Sequence, residues 1–595
     1  MMTNFPMDLS RATGSNGRDG LRVALALGVL ALAACAAGAQ KQEKAPDFGP
    51  NILVFNPSMP SAGVQTQIDR VYATQQHSEF GAGRYALLFL PGGYKVDVPV
   101  GFYTQVVGLG ASPDAVHITG NVHSDASLDH NNATCTFWRG VEGFSVTPAG
   151  GPLSNTMQWA VSQAVPFRRM HVLGSLVLHQ DNGWASGGWI SDSLIDGNVG
   201  AGTQQQWISR NSQWGSWTGS NWNMVFVGVV HPPEGDWPQP PYTRVAQTPV
   251  VREKPFLQVD ADGHYSVRVP ALDHNSAGIT WKSGATPGQT IPLNRFYIAH
   301  PGRDTAATIN AQLAAGKHLL LTPGIYDLTE PIRVTRPDTV VLGLGFATLH
   351  PVKGTAAITT ADADGMIIAG LLFDAGPALS PVLLEVGPAG SKASHAGNPI
   401  SLHDVFFRVG GADVGRAGVN LLINSNDTII DHTWIWRADH GAGVGWTRNL
   451  SANGLVVNGN NVTAYGLFVE HHKEFQVLWN GNGGRTYFYQ SEIPYDPPDQ
   501  PSYSSASGVN GWASYKVADS VTSHQAWGLG VYSVFLKPDV VLTRAIEVPR
   551  APGVAFHHMI TVALGKLGAI SNVIDDAGGS TSIKPWITPK VTEFP

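Results

Sequence analysis

The chain has 595 residues, 43% of them hydrophobic, with 68 glycines, 17 tryptophans, only 14% charged residues and a formal net charge of −7. That length exceeds what one compact core fills, so two domains or an elongated repeat architecture are required. A helical bundle would need more Lys, Glu and Arg, a disordered chain could not carry this apolar content, and the acidic balance offers no field for nucleic acid or an anionic lipid surface.

Residues 1–39 read as an export signal. Arg11, Arg18 and Arg22 lie at or before the start of the apolar run from Leu21 to Ala34, which is too short for a stable membrane span. The run ends in Leu32-Ala33-Ala34-Cys35, which resembles a lipoprotein box, while Ala37-Gly38-Ala39 offers a conventional cleavage site. An outer-membrane or cell-surface protein with a lipid anchor at Cys35 is expected, with a periplasmic or freely secreted form as the alternative. Cys135 is the only other cysteine, so no intrachain disulfide is expected, and Cys135 reads as a small buried apolar residue.

The next signal is self-similarity. Leu87-Leu88-Phe89-Leu90-Pro91-Gly92-Gly93-Tyr94 recurs as Leu319-Leu320-Leu321-Thr322-Pro323-Gly324-Ile325-Tyr326, and Val106-Val107-Gly108-Leu109-Gly110 recurs as Val341-Leu342-Gly343-Leu344-Gly345. Each copy follows a stretch of helical period, Thr66 to Gln76 and Ala306 to Ala315, suited to capping the end of a β-stack. Beyond each copy come short β-branched and aromatic runs such as Trp189 to Ser191, Gln206 to Arg210, Thr428 to Asp431 and Thr486 to Tyr489. Spaced by about 20 residues and separated by Asn, Gly and Asp, they predict the stacked coils of a parallel β-helix rather than a propeller or a sandwich.

The first β-helix is therefore predicted over 40–230. A linker segment follows over 231–290, opening with the proline-rich run from His231 to Pro241, and a second β-helix over 291–595. Glu470 and Glu492 stand about one coil apart, so both can lie on one face of adjacent turns. Stacked strands are about 4.8 Å apart, and two carboxyls that close would drive their pKa values apart, leaving one protonated near neutrality.

The duplicated opening, Phe137 to Glu142, Trp184 to Gly188, and above all Trp434-Ile435-Trp436-Arg437-Ala438-Asp439-His440-Gly441, Glu470-His471-His472 and Gln490 to Asp496 resemble glycoside hydrolase family 55, whose members are laminarinases and exo-β-1,3-glucanases. The resemblance implies an all-β, pectate-lyase-like fold of two tandem right-handed parallel β-helices side by side, with the active site in the cleft between them. It implies inverting, exo-acting hydrolysis of β-1,3-glucan, with Glu492 as the catalytic acid and Glu470 a substrate-binding carboxylate beside it. It points to Gln163 and Ser186 as holders of the attacking water. Sugar rings pack on aromatic faces and offer hydroxyls at their rims. Trp436, Trp446 and Tyr495 are thus candidate platforms, Asp439 a hydroxyl acceptor, and Lys516 a residue at the cleft rim.

Glu470-His471-His472 with His440 could suggest a metal cluster, but adjacent His residues on a strand face opposite ways. No metal ligand set is read, and no cofactor. The expected partner is a β-1,3-glucan met by a monomer. Two rival readings remain. A β-helix polysaccharide lyase would need a basic pair beside an acidic calcium nest, which the sequence does not offer. A non-catalytic surface glycan-binding protein would spread its Trp residues along the coils.

Overall fold

Both copies of the repeated phrase become strands buried on two faces. Leu87, Leu88 and Phe89 lie in Tyr85–Phe89, and Leu319, Leu320 and Leu321 in His318–Leu321, none more than 1% exposed. Alternation sends Leu87 and Phe89, and likewise Leu319 and Leu321, into the interior of their own stack of coils. Leu88 and Leu320 point the other way, into one apolar layer with Val107 and Leu342. A strand covered on both sides reads as a continuous apolar run, which is why the phrase does not alternate.

The structure is a computed structural model describing residues 46–126, 128, 130–150 and 153–595. The export signal and Cys35 lie outside the described residues. In the first stack one parallel ladder runs from Ile52–Phe55 through Tyr85–Phe89, Thr104–Gly108 and Gln206–Arg210 to Tyr242–Val245. Between its rungs the chain crosses to a second parallel ladder, where Gly92–Pro99 pairs with Val116–His123 and His171–Val172 with Leu194–Gly200. The second stack repeats the plan. Its long ladder runs from Phe296–Ala299 through Ile429–Arg437, Thr463–Glu470 and Gly484–Glu492 to Gly553–Ala563, and Lys590–Phe594 closes it antiparallel.

Helix α1 (Ser61–Gln75) buries Val64, Ile68 and Val71 in the core of the first stack, and α2 (Ala306–Ala314) buries Ile309 and Leu313 in that of the second. The Thr305 hydroxyl caps α2 by accepting from the Thr308 amide at 3.2 Å.

The linker reading needs correction. The first ladder continues past residue 230, because Met224 to Val227 pair with Tyr242 to Val245, and the proline-rich run is a loop between these two rungs. A run this rich in proline falls in a loop because proline cannot donate to a ladder. The connection proper is two small antiparallel sheets, Thr248–Arg252 with Leu272–Ser276, and Phe256–Val259, Tyr265–Pro270 and Gly288–Pro292.

A buried ionic lattice lies between the stacks. Arg168 of the first grips Asp404 of the second, Nε to Oδ2 at 2.9 Å and Nη2 to Oδ1 at 2.8 Å, and reaches Asp431 at 2.8 Å. Arg210 donates to Asp431 at 2.9 Å and to Glu253 at 2.6 Å, and Lys254 to Glu142 at 2.6 Å. Burial opposes the charge of Asp404 and Asp431, yet the guanidiniums hold both carboxyls well below the usual range. Charges this deep are tolerated only when every one is paired.

Candidate active site

Glu470 ends the strand Thr463–Glu470, beside Trp436 of the preceding rung. It is 3% exposed. Its Oε1 accepts from Gln490 Nε2 at 2.6 Å and from Gln163 Nε2 at 3.1 Å, and its Oε2 from Trp434 Nε1 at 2.8 Å. Burial still pushes this carboxyl up to about 7 against those donors, and the charge of Asp439 adds to the rise.

Glu492 ends the next rung, Gly484–Glu492, and its carbonyl accepts from the His471 amide at 2.8 Å. The side chain is half-buried, and among the described residues no donor hydrogen-bonds to its carboxyl. Desolvation raises its pKa well above the usual carboxylate range, and the charges of Glu470 and Asp439 raise it further. The two carboxyls thus differ in environment. Glu470 is ringed by donors that favour its anion, whereas nothing but desolvation and like charge acts on Glu492, so the shared proton belongs on Glu492.

Both open onto a cavity of about 220 Å³ whose walls come from both stacks. Thr134, Cys135, Phe137, Gln163, Ser186 and Gln205 line it from the first, and Trp434, Trp436, Asp439, His440, Glu470, His471, Glu492, Tyr495 and Leu564 from the second. Gln163 Nε2 bridges the Ser186 hydroxyl at 3.2 Å and Glu470, while Gln163 Oε1 is buried without a protein partner. Gln163 also has a left-handed backbone, φ +40°, and its carbonyl meets His432 Nε2 at 3.2 Å. Backbone strain at a residue facing a cavity is held by its surroundings, here by His432, which in turn rests on Asp404 at 2.9 Å.

The remaining predicted residues divide. Asp439 and Tyr495 line the cavity, Asp439 paired with His440 Nδ1 at 2.8 Å and Tyr495 packed edge-on to His471 at 4.4 Å. Trp436 is there but is 1% exposed, because its faces are taken by Phe80 at 6.2 Å and 8° and by Trp434 at 4.9 Å and 20°. It is a wall rather than an open platform. Trp446 does not line the cavity; it packs against the core of the second stack beneath Lys473 and Arg437. Lys516 is also elsewhere, paired with Asp519 at 2.9 Å and Glu547 at 3.6 Å. Cys135, expected in a core, is half-buried on the cavity wall.

Sequence reasoning assigns no role to Gln490, Trp434, His432 or Glu79, although the first two fall within the motifs quoted above. A signal existed for two of them. Gln490 precedes Glu492 by two residues and Trp434 precedes Trp436 by two, so the strand period puts each pair on one face. His432 and Glu79 act through contacts hundreds of residues away, which no local pattern announces. A second cavity, of about 260 Å³, is lined by Arg252, Asp338 and Asn398 and contains none of the predicted residues.

Residues 296–492 match the LAM55 pectate lyase-like domain. The exo-beta-1,3-glucanase of Streptomyces sp. (strain SirexAA-E / ActE) is 49% identical over 562 residues, covering 94% of this chain and 91% of that protein. The chain belongs to glycoside hydrolase family 55. The structure of sacteLam55A from the same Streptomyces superposes with a TM-score of 0.90 at 49% identity, covering 92% of this chain and 99% of that one. A glutamate-to-alanine variant of sacteLam55A in complex with glucose gives 0.90 at 48% identity, with the same coverage. As a family 55 glycoside hydrolase, the chain carries its two closely set carboxylates, Glu470 and Glu492, in a cavity built jointly by its two stacks.

Proposed function

We propose that this protein hydrolyses β-1,3-glucan from the chain end with inversion, Glu492 protonating the departing glycosidic oxygen. The observation that carries this is the unequal pair: Glu492 without donors and with a raised pKa, beside Glu470 with three donors. An inverting hydrolase needs one carboxyl that keeps its proton and a second group that activates water on the opposite face of the ring. Gln163 Oε1, buried and unpartnered, is the acceptor to which that water donates. As the water attacks, its proton passes to Gln163 Oε1 while a Gln163 Nε2 proton passes to Glu470 Oε1 at 3.1 Å, the amide becoming its imidic-acid tautomer and Glu470 the final proton acceptor. Asp439 takes hydroxyls of the terminal sugar, and Tyr495 borders the same ring. The 49% identity to an exo-beta-1,3-glucanase supports the substrate and the exo mode.

The two stacks form, in this reading, tandem right-handed parallel β-helices with the substrate cleft between them. Parallel pairing along both ladders, up to the antiparallel closing strand Lys590–Phe594, supports it, as does the strong right-handed bias of crossovers between parallel strands. Export, attachment through Cys35 and action as a monomer complete the proposal, supported for the leader by the apolar run ending in Leu32-Ala33-Ala34-Cys35.

The test is product analysis on laminarin. Glucose should be the first product, released as the α-anomer from a β-linked chain and seen directly by NMR. A ladder of long oligosaccharides would refute exo action, a β-anomer would refute inversion, an ultraviolet-absorbing unsaturated product would indicate a lyase, and binding without sugar release would leave a glycan-binding protein.

A further inference from the structure

Glu79, Cys135 and His440 meet at the cavity, their carboxylate, thiol and imidazole ligand atoms all within 4.8 Å of one another. Glu79 and Cys135 come from the first stack and His440 from the second. His440 Nε2 lies 2.7 Å from Glu79 Oε1, and its Nδ1 lies 2.8 Å from Asp439 Oδ1. Both ring nitrogens therefore face carboxylates, and the ring is held as an imidazolium. Positive charge already sits at the centre of this cluster, in the form of a proton.

We propose that this triad binds a divalent transition cation of the zinc class, through Cys135 Sγ, His440 Nε2 and a Glu79 oxygen, and that the bound cation blocks the cavity. Zinc takes sulfur at about 2.3 Å and nitrogen or oxygen at about 2.0–2.2 Å, so tetrahedral ligand atoms stand roughly 3.3–3.7 Å apart. To admit the ion the Glu79–His440 pair, now 2.7 Å apart, must open by about half an ångström or slightly more. The charges balance: a thiolate and a carboxylate neutralise the cation, while the thiol proton and the Nε2 proton of His440 leave to solvent. Asp439 already occupies the other ring nitrogen, the outer contact that fixes a ligating histidine in place. A thiolate disfavours calcium and magnesium, which take oxygen ligands, so the softer cations are selected. Cys135 and His440 both line the cavity, so a fourth position opens towards the space where a sugar would lie.

The test uses the untagged full chain with Cys35→Ser, leaving Cys135 as its single thiol, after removal of metal. Equilibrium dialysis against zinc should give one tightly held equivalent, and cobalt(II) should produce a thiolate-to-metal charge-transfer absorption. Cys135→Ser and Glu79→Gln should each weaken zinc binding by more than about 10-fold, since even outer contacts of metal sites are worth 10–100-fold. Each variant should also resist zinc inhibition of laminarin hydrolysis, measured against its own metal-free rate. No stoichiometric binding, unchanged binding in both variants, or cobalt bound without the charge-transfer band would overturn the site. Stoichiometric binding without inhibition would overturn the blocking role. Dialysis and absorption need no substrate, so failure of the glucanase reading would leave them intact.

Discussion

Gln163 of the first stack and Glu470 of the second, 307 residues apart in sequence, share a hydrogen bond of 3.1 Å. The bond fixes the cavity-facing amide and at the same time favours the Glu470 anion. Gln163→Ala should lower kcat on laminarin by about 10²-fold with little change in KM, the scale of loss when a reacting group is misplaced by about 1 Å. The acid limb of the pH–kcat profile should also move to higher pH, because a carboxylate that loses a donor is harder to ionise. An unmoved acid limb would show that Glu470 is not the group titrating there.

The same electrostatics makes a stability prediction. Glu492 binds its proton more tightly folded than unfolded. Its favourable contribution is therefore fully present below its unfolded pKa and is lost as pH rises through the raised folded value. Glu492→Gln cannot ionise, so it should match the wild type at about pH 4 and be the more stable of the two at about pH 8. Urea unfolding at both pH values checks this, and equal differences at the two would refute it.

Much of this was legible in the residues. The duplicated Leu-rich phrase announced two stacked units because its strands are buried on both faces, and Glu470 and Glu492 announced adjacent rungs through their spacing. Trp446 misled because an aromatic in a Gly-rich stretch looks alike whether it faces a sugar or a core. The boundary at 230 misled because prolines mark a loop between rungs as readily as a linker. Contacts such as His432 to Gln163 belong to the docking of one stack on the other, and no coil encodes that alone.

The ionic lattice should behave as an all-or-none unit. Arg168→Ala leaves Asp404 and Asp431 buried with too little positive charge, and should cost about 3–5 kcal/mol of stability by denaturant unfolding. Adding Asp404→Ala should recover part of that loss, since the second change removes a stranded charge. The folded pKa values of Asp404 and Asp431 are depressed, so the lattice's contribution is present above their unfolded values and lost only as pH falls through the folded ones. The difference between wild type and Arg168→Ala should therefore shrink as pH falls from about 8 to about 5, because protonation relieves a carboxyl stranded in the variant while the wild-type carboxyls stay ionised. A difference that stays constant over that range would mean that Arg168 is not what holds the charge of these carboxyls.

The sharpest prediction concerns the departing oxygen. Glu492→Gln keeps the shape of the acid but has no proton to give, so it should remove an interaction made mainly in the transition state. General acid help is worth 10²–10⁴-fold, about 3–5 kcal/mol of barrier, and its loss should appear in kcat while KM and glucan binding stay near wild type. Leaving-group chemistry separates this from a general loss of activity. An aryl β-glucoside with a strongly acidic phenol departs without protonation, so the variant should lose far less on it than on laminarin. Glu470→Gln should fall on both substrates, because attack by water is needed whatever leaves, and removing its charge should shift the basic limb to lower pH as Glu492 loses a repelling neighbour. If Glu492→Gln keeps more than about a tenth of wild-type kcat on laminarin, or loses equally on both substrates, Glu492 is not the acid.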